Sequence, residues 1–132
     1  MKLLPCFSII SSELIDISEG IRLFNEADFF SSHDFFEACW MECDRADRLF
    51  FQGMVQISVG CYHLISGNKA GCLSQLKKGT IKLKTYLPFY MNINLKELIN
   101  SFENIIIELD EISSNQELIT LWNKIPRIET KN

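Results

Sequence analysis

Residues 24–40 read Phe24-Asn25-Glu26-Ala27-Asp28-Phe29-Phe30-Ser31-Ser32-His33-Asp34-Phe35-Phe36-Glu37-Ala38-Cys39-Trp40. Polarity does not alternate here, as a half-buried strand requires, and the pattern fits the turn of an α-helix. At about 100° per residue, with His33 as origin, Glu37 falls about 40° to one side and Trp40 about 20° to the other, with Phe29, Phe30 and Phe36 within about 60°. The stretch therefore reads as one apolar helical stripe with a polar pair, His33 and Glu37, set inside it. Asp34 points about 100° away and is expected beside that pair rather than in it. Phe35, about 160° away, is expected on the solvent side, where an exposed ring suggests a partner surface.

Upstream, Leu14, Ile17, Ile21 and Phe24 recur at helical spacing, so a first helix is expected from Ser12 or Asp16 to Phe24. Asn25 interrupts the path, and Asp28 is a fitting N-cap for the second helix, which runs to about Cys43. The charged turn Asp44-Arg45-Ala46-Asp47 follows, and Asp47 is expected to cap a third helix from Arg48 to about Ile65. Gly53 and Gly60, seven apart, share one face of that helix and admit a neighbouring backbone, although each costs about 1 kcal/mol of helix propensity. Gln56 and His63, also seven apart, edge the same face.

Gly67 closes the third helix, and a fourth runs to about Leu87, with Leu76, Leu83 and Leu87 inward and Lys77, Lys78, Lys82 and Lys84 on the remaining surface. Pro88 stops it. Asn94 with Glu97, and Ser114 with Glu117, have the spacing of capping boxes. The first precedes a stripe of Leu95, Leu98, Ile99, Phe102, Ile105, Ile106 and Leu109, and the second a short helix through Trp122 that ends near Pro126. No segment reads as a strand. The expected fold is all-α, a single compact antiparallel bundle of five to six helices over residues 1–132, with 1–11 as an N-terminal tail or packing segment and 123–132 as a C-terminal tail.

Composition narrows the function classes. A chain of 132 residues with 47% apolar and 23% charged residues has enough apolar material for one core. Its net charge of −4 argues against general binding to a phosphate backbone. No apolar run reaches the roughly 18 residues needed to cross a bilayer. Cys6, Cys39, Cys43, Cys61 and Cys72 are odd in number and lack paired metal spacing, so free thiols of a reducing, cytoplasmic protein are expected. The signatures of P-loops, dinucleotide folds, serine hydrolases and H-E-x-x-H zinc enzymes are absent from the sequence.

If the second and third helices pack across the glycine strip, His33 and Glu37 meet Gln56 and His63 in a polar cluster with an apolar surround. Three uses of such a cluster stay open. It can be structural, with Glu37 and His63 hydrogen-bonded to fix helix register. It can bind a small ligand or move a proton, with His33 and Glu37 as the catalytic pair and Gln56, His63, Asn68 and Trp40 as ligand-binding residues. Or His33, Glu37 and His63 can hold a divalent metal. The first function expected is thus a pocket binding a small molecule or metal, with possible hydrolytic or proton-transfer activity. The other is a non-catalytic scaffold or dimerisation module, the chain being a monomer or homodimer.

Three blocks resemble the DUF309 family, small all-helical bacterial and plastid proteins of unknown function. Phe24-Asn25, Phe29-Phe30, His33, Glu37 and Trp40 resemble its FN-x-G-x-[FY]-[FY]-E-A-H-E-x-x-E-x-x-W stretch. Phe51-Gln52-Gly53-Met54-Val55-Gln56 with Tyr62-His63 resembles its G-L-I-Q helix, and Gly67-Asn68 with Gly71 its G-N-x-x-G-A turn. Together they span roughly residues 17 to 90. Ala27 stands where the family pattern has glycine, Ser31-Ser32 for Glu-Ala, Asp34 for glutamate and Ala38 for a common acidic residue. The resemblance implies a compact helical bundle in the bacterial cytosol or plastid stroma, and no particular reaction.

Overall fold

A computed structural model of the protein describes residues 15–131. The expected start of the first helix at Ser12 and the N-terminal segment 1–11 lie outside the described residues. The helices are α1 (Ser18–Asn25), α2 (Phe29–Glu42), α3 (Arg48–Ile65), α4 (Lys69–Leu83), α5 (Leu95–Glu111) and α6 (Asn115–Leu118). Short 3-10 turns follow at Arg45–Asp47, Lys84–Tyr86 and Ile119–Lys124.

Local chemistry sets most of the boundaries. The Asp28 carboxylate accepts from the Ser31 backbone N–H at the start of α2, and Asn68, Asn94 and Ser114 do the same for Gly71, Glu97 and Glu117. Gly67 takes φ of +80° after α3, a conformation that glycine adopts without strain. Asp47 departs from expectation. It makes no side-chain cap to α3, and its carboxylate, 6% exposed, accepts instead from the Tyr90 hydroxyl.

Ala27, between α1 and α2, holds φ of +64°. That left-handed geometry costs a residue with a Cβ roughly 1–2 kcal/mol, and the family pattern places glycine there. Ala27→Gly is therefore expected to raise stability by about 1 kcal/mol, read as a shift of the urea midpoint at unchanged slope. No gain, or a loss, would refute the strain.

The packing is antiparallel throughout the larger helices. Gly20 of α1 lies under Phe35 and Phe36 of α2, and Phe24 meets Phe29 edge-on at 5.0 Å. α2 and α3 run past each other with Phe30 by Tyr62 and Phe36 by Phe51, while the fully buried Ser32 and Ser58 hydroxyls bond at 3.0 Å. That serine pair satisfies two polar groups in the core and fixes the register of the two helices. Lys69 Nζ donates to the Ile112 carbonyl and Lys84 pairs with Glu103, so α5 runs antiparallel to α4.

The glycine strip faces α4. A Cβ on Gly53 would sit 2.9 Å from Leu83, and one on Gly60 would sit 2.7 Å from Leu76. Gly79 of α4 answers from the other side, with a Cβ there lying 3.0 Å from the Gly53 carbonyl oxygen. Packing of α2 on this strip is thereby corrected, and the reason is periodicity. Phe51 and Ser58 form one face of α3 and Gly53 and Gly60 another, about 200° round, so α3 is sandwiched between α2 and α4.

A single apolar core joins residues from every helix, from Ile17 through Phe36, Met54, Leu76 and Phe102 to Ile128. Two features depart from an all-helical reading. Phe89–Tyr90 and Ile93–Asn94 form a two-residue antiparallel hairpin, β1 and β2, whose turn places Met91 and Asn92 at positive φ. Residues 125–131, within the expected C-terminal tail, pack beside it. Ile93 bridges Thr130, the buried Ile128 joins the core, and Asn25 clamps the Ile128 backbone, donating to its carbonyl at 3.2 Å and accepting from its N–H at 2.7 Å. Among the described residues no helix is long and apolar enough to cross a membrane.

Candidate functional site

The buried positions of α2 are Phe29, Ser32, Phe36 and Cys39. Their mean direction lies about 80° from His33, so the core-facing side is rotated from the stripe that the aromatics suggest. His33 consequently sits on a flank, with its side chain 24% exposed, while Glu37 is 49% and Asp34 60% exposed. Phe30, expected in the stripe, is 58% exposed. Phe35, expected on the solvent side, is half-buried on the opposite flank against Gly20 of α1.

On the open flank one imidazole has a carboxylate at each nitrogen. Asp34 Oδ1 lies 3.4 Å from Nδ1 of His33, and Glu37 Oε2 lies 4.0 Å from Nε2. One ligand atom from each of His33, Asp34 and Glu37 falls within 4.8 Å of the other two. Asp34, placed outside the pair by backbone angle alone, joins it because its side chain turns back toward the adjacent ring. A 100° separation between neighbours does not prevent that contact on an exposed surface.

The remaining candidates are engaged elsewhere. Gln56 accepts from Lys82 Nζ at 3.0 Å, tying α3 to α4. His63 lies over Gly71, and its Nδ1 is 3.4 Å from the Asn68 side-chain amide, whose oxygen caps α4. Trp40 stacks under the Arg48 guanidinium, 5.0 Å from the ring centroid. His63 is connected to His33 through two rings, since successive centroids along His33, Phe30, Tyr62 and His63 are 6.1, 6.0 and 6.2 Å apart. The four polar side chains thus form two groups, one on α2 and one at the α3–α4 junction.

Cys39, Cys43, Cys61 and Cys72 are all free thiols. Burial pushes the Cys39 thiol up to about 11 and the Cys72 thiol up to about 12, which disfavours the thiolate needed for metal ligation or nucleophilic attack. Cys39 and Cys43 accordingly behave as helix-packing residues. Residues 17–75 match the model of a family described as a domain of unknown function, DUF309. Over those residues the chain is similar to DUF309. The match runs from the residue before α1 to the middle of α4, stopping short of residue 90, and takes in every residue of both polar groups. No curated protein matches the chain.

Proposed function

We propose that this protein binds a divalent transition-metal ion on the exposed flank of α2 through His33, Asp34 and Glu37. The observation that carries the reading is the convergence of one imidazole and two carboxylates within 4.8 Å. One nitrogen and two carboxylate oxygens suit Zn²⁺, Mn²⁺ or Fe²⁺ and leave positions open to water, as a reactive centre needs and a structural zinc site does not. A bound ion would supply Lewis acidity and a more acidic water. His33 would contribute one ring nitrogen and Asp34 and Glu37 one oxygen each, and the Phe30 and Tyr62 rings offer apolar surface for an organic substrate of hydrolysis or proton transfer. His63 has no place in this donor set.

Equilibrium titration of Zn²⁺ and of Mn²⁺ into the intact chain tests the reading. One ion per chain is expected, with affinity reduced on the order of 100-fold in His33→Ala, at or beyond the 10–100-fold that outer-shell changes cost. Equal affinities in the parent and His33→Ala would remove it. The second reading is a scaffold, favoured by the commitment of Gln56, His63 and Asn68 to holding α3 against α4. The absence of a disulfide among the described cysteines supports a cytosolic or stromal setting, and the net charge of −4 a partner other than nucleic acid.

A further inference from the structure

α4 and α5 enclose an open groove of about 400 Å³ on the side of the molecule away from α2. Its rims are apolar and exposed: Ile81 is 68% and Ile107 60% accessible, with Ile106 beneath. Two such residues side by side form a patch that water does not favour. The charges along it are segregated. α4 carries Lys69, Lys77, Lys78 and Lys82 with no acidic residue, whereas α5 carries Glu97, Glu103, Glu108, Asp110 and Glu111 against a single Lys96.

The two walls also share a spacing. Along α4 and into the turn that follows it the order is Lys77, Ile81, Lys84, at intervals of four and three; on α5 it is Glu103, Ile107, Asp110, at the same intervals with the opposite charge. Because α4 and α5 are antiparallel and Lys84 pairs with Glu103 at 2.6 Å, the level of Lys84 on one wall is that of Glu103 on the other. The remaining lysine, Lys77, stands toward the Asp110 end, and neither Lys77 nor Asp110 has an ion-pair partner among the described residues.

A two-fold axis along this groove sets the α4 of one copy over the α5 of the other. We propose that this face is the interface of a homodimer. The operation brings Ile81 onto the partner copy's apolar rim and Lys77 opposite the partner copy's acidic wall, and it does so twice, as an isologous contact requires. Complementary charge then fixes the register while the apolar rims supply the attraction.

Sedimentation equilibrium of the intact chain, run across a concentration series and at low and high salt, tests this. The parent is expected to be a dimer. Ile81→Glu is expected to weaken association by about 100-fold or more, since it buries an unpaired charge. Lys77→Glu, a fully surface change that leaves folding intact, is expected to weaken it about ten-fold, and adding Asp110→Lys to Lys77→Glu is expected to restore it, because the swapped charges meet again across the axis. A parent that stays monomeric at all concentrations overturns the proposal. So does a dimer indifferent to Ile81→Glu, or a Lys77→Glu loss that Asp110→Lys does not recover.

Discussion

Phe36→Ala is expected to destabilise the protein by about 3–5 kcal/mol, the range for emptying a fully buried phenylalanine site, whereas Phe30→Ala on the same helix is expected to change stability by no more than about 0.5 kcal/mol. Phe36 is 0% exposed, stacked on Phe51 and edge-on to Phe35, and its ring tip lies 2.8 Å from where a Cβ on Gly20 would be. It fills the junction of α1, α2 and α3. Phe30 lies mostly in water, with its ring near those of His33 and Tyr62. Chemical denaturation of both variants measures the difference directly. Equal losses would mean that α2 faces the core through the middle of its aromatic stripe rather than through Phe29, Ser32, Phe36 and Cys39.

That contrast also marks what the sequence carries and what it does not. Helix positions are legible because capping is local chemistry: Asp28, Asn68, Asn94 and Ser114 all act on backbone groups three residues away, and Gly67 supplies the reversal after α3. The all-α class follows from those signals with the apolar periodicity of α5. The facing of α2 is not legible in the same way. Phenylalanines at 29, 30, 35 and 36 surround much of the helix, so no wheel drawn from hydrophobicity alone has a clear direction. Its buried side is marked by a serine, Ser32, whose partner Ser58 is 26 residues away and visible only once α2 and α3 are packed.

The candidate site was legible to the same extent. His33 and Glu37 are neighbours one helical turn apart, and that much follows from spacing. Their expected meeting with Gln56 and His63 required α2 to lie on the glycine face of α3, and that is a question of tertiary pairing. Small residues on a helix show that something approaches closely without showing which element does so. Asp34 entered the cluster through side-chain rotation, a freedom that backbone angles do not describe. The small hairpin at 89–94 is not legible in the sequence for a related reason, because four strand residues with a bridge to Thr130 are held by tertiary contact rather than by a run of strand formers.

The close approach of α3 and α4 supplies the second large effect. Gly79→Ala is expected to cost about 2–3 kcal/mol, even though alanine gains about 1 kcal/mol over glycine in helix propensity. The added Cβ would meet Ile57 Cγ2 at 2.8 Å, the Gly53 carbonyl oxygen at 3.0 Å and Gln56 Cβ at 3.2 Å. Ile57 is fully buried and stiff at χ1, and the other two contacts belong to the helix backbone or lie next to it, so relief requires α3 and α4 to move apart. Gly71→Ala, at the start of the same helix, meets most closely the Asn68 amide and the His63 ring. Those side chains can turn aside, so its cost is expected to stay below about 1 kcal/mol. Thermal or urea unfolding of the two alanine variants separates them. Should Gly79→Ala prove neutral or stabilising, propensity would outweigh the clash, and the glycines would not be what sets the spacing of α3 and α4.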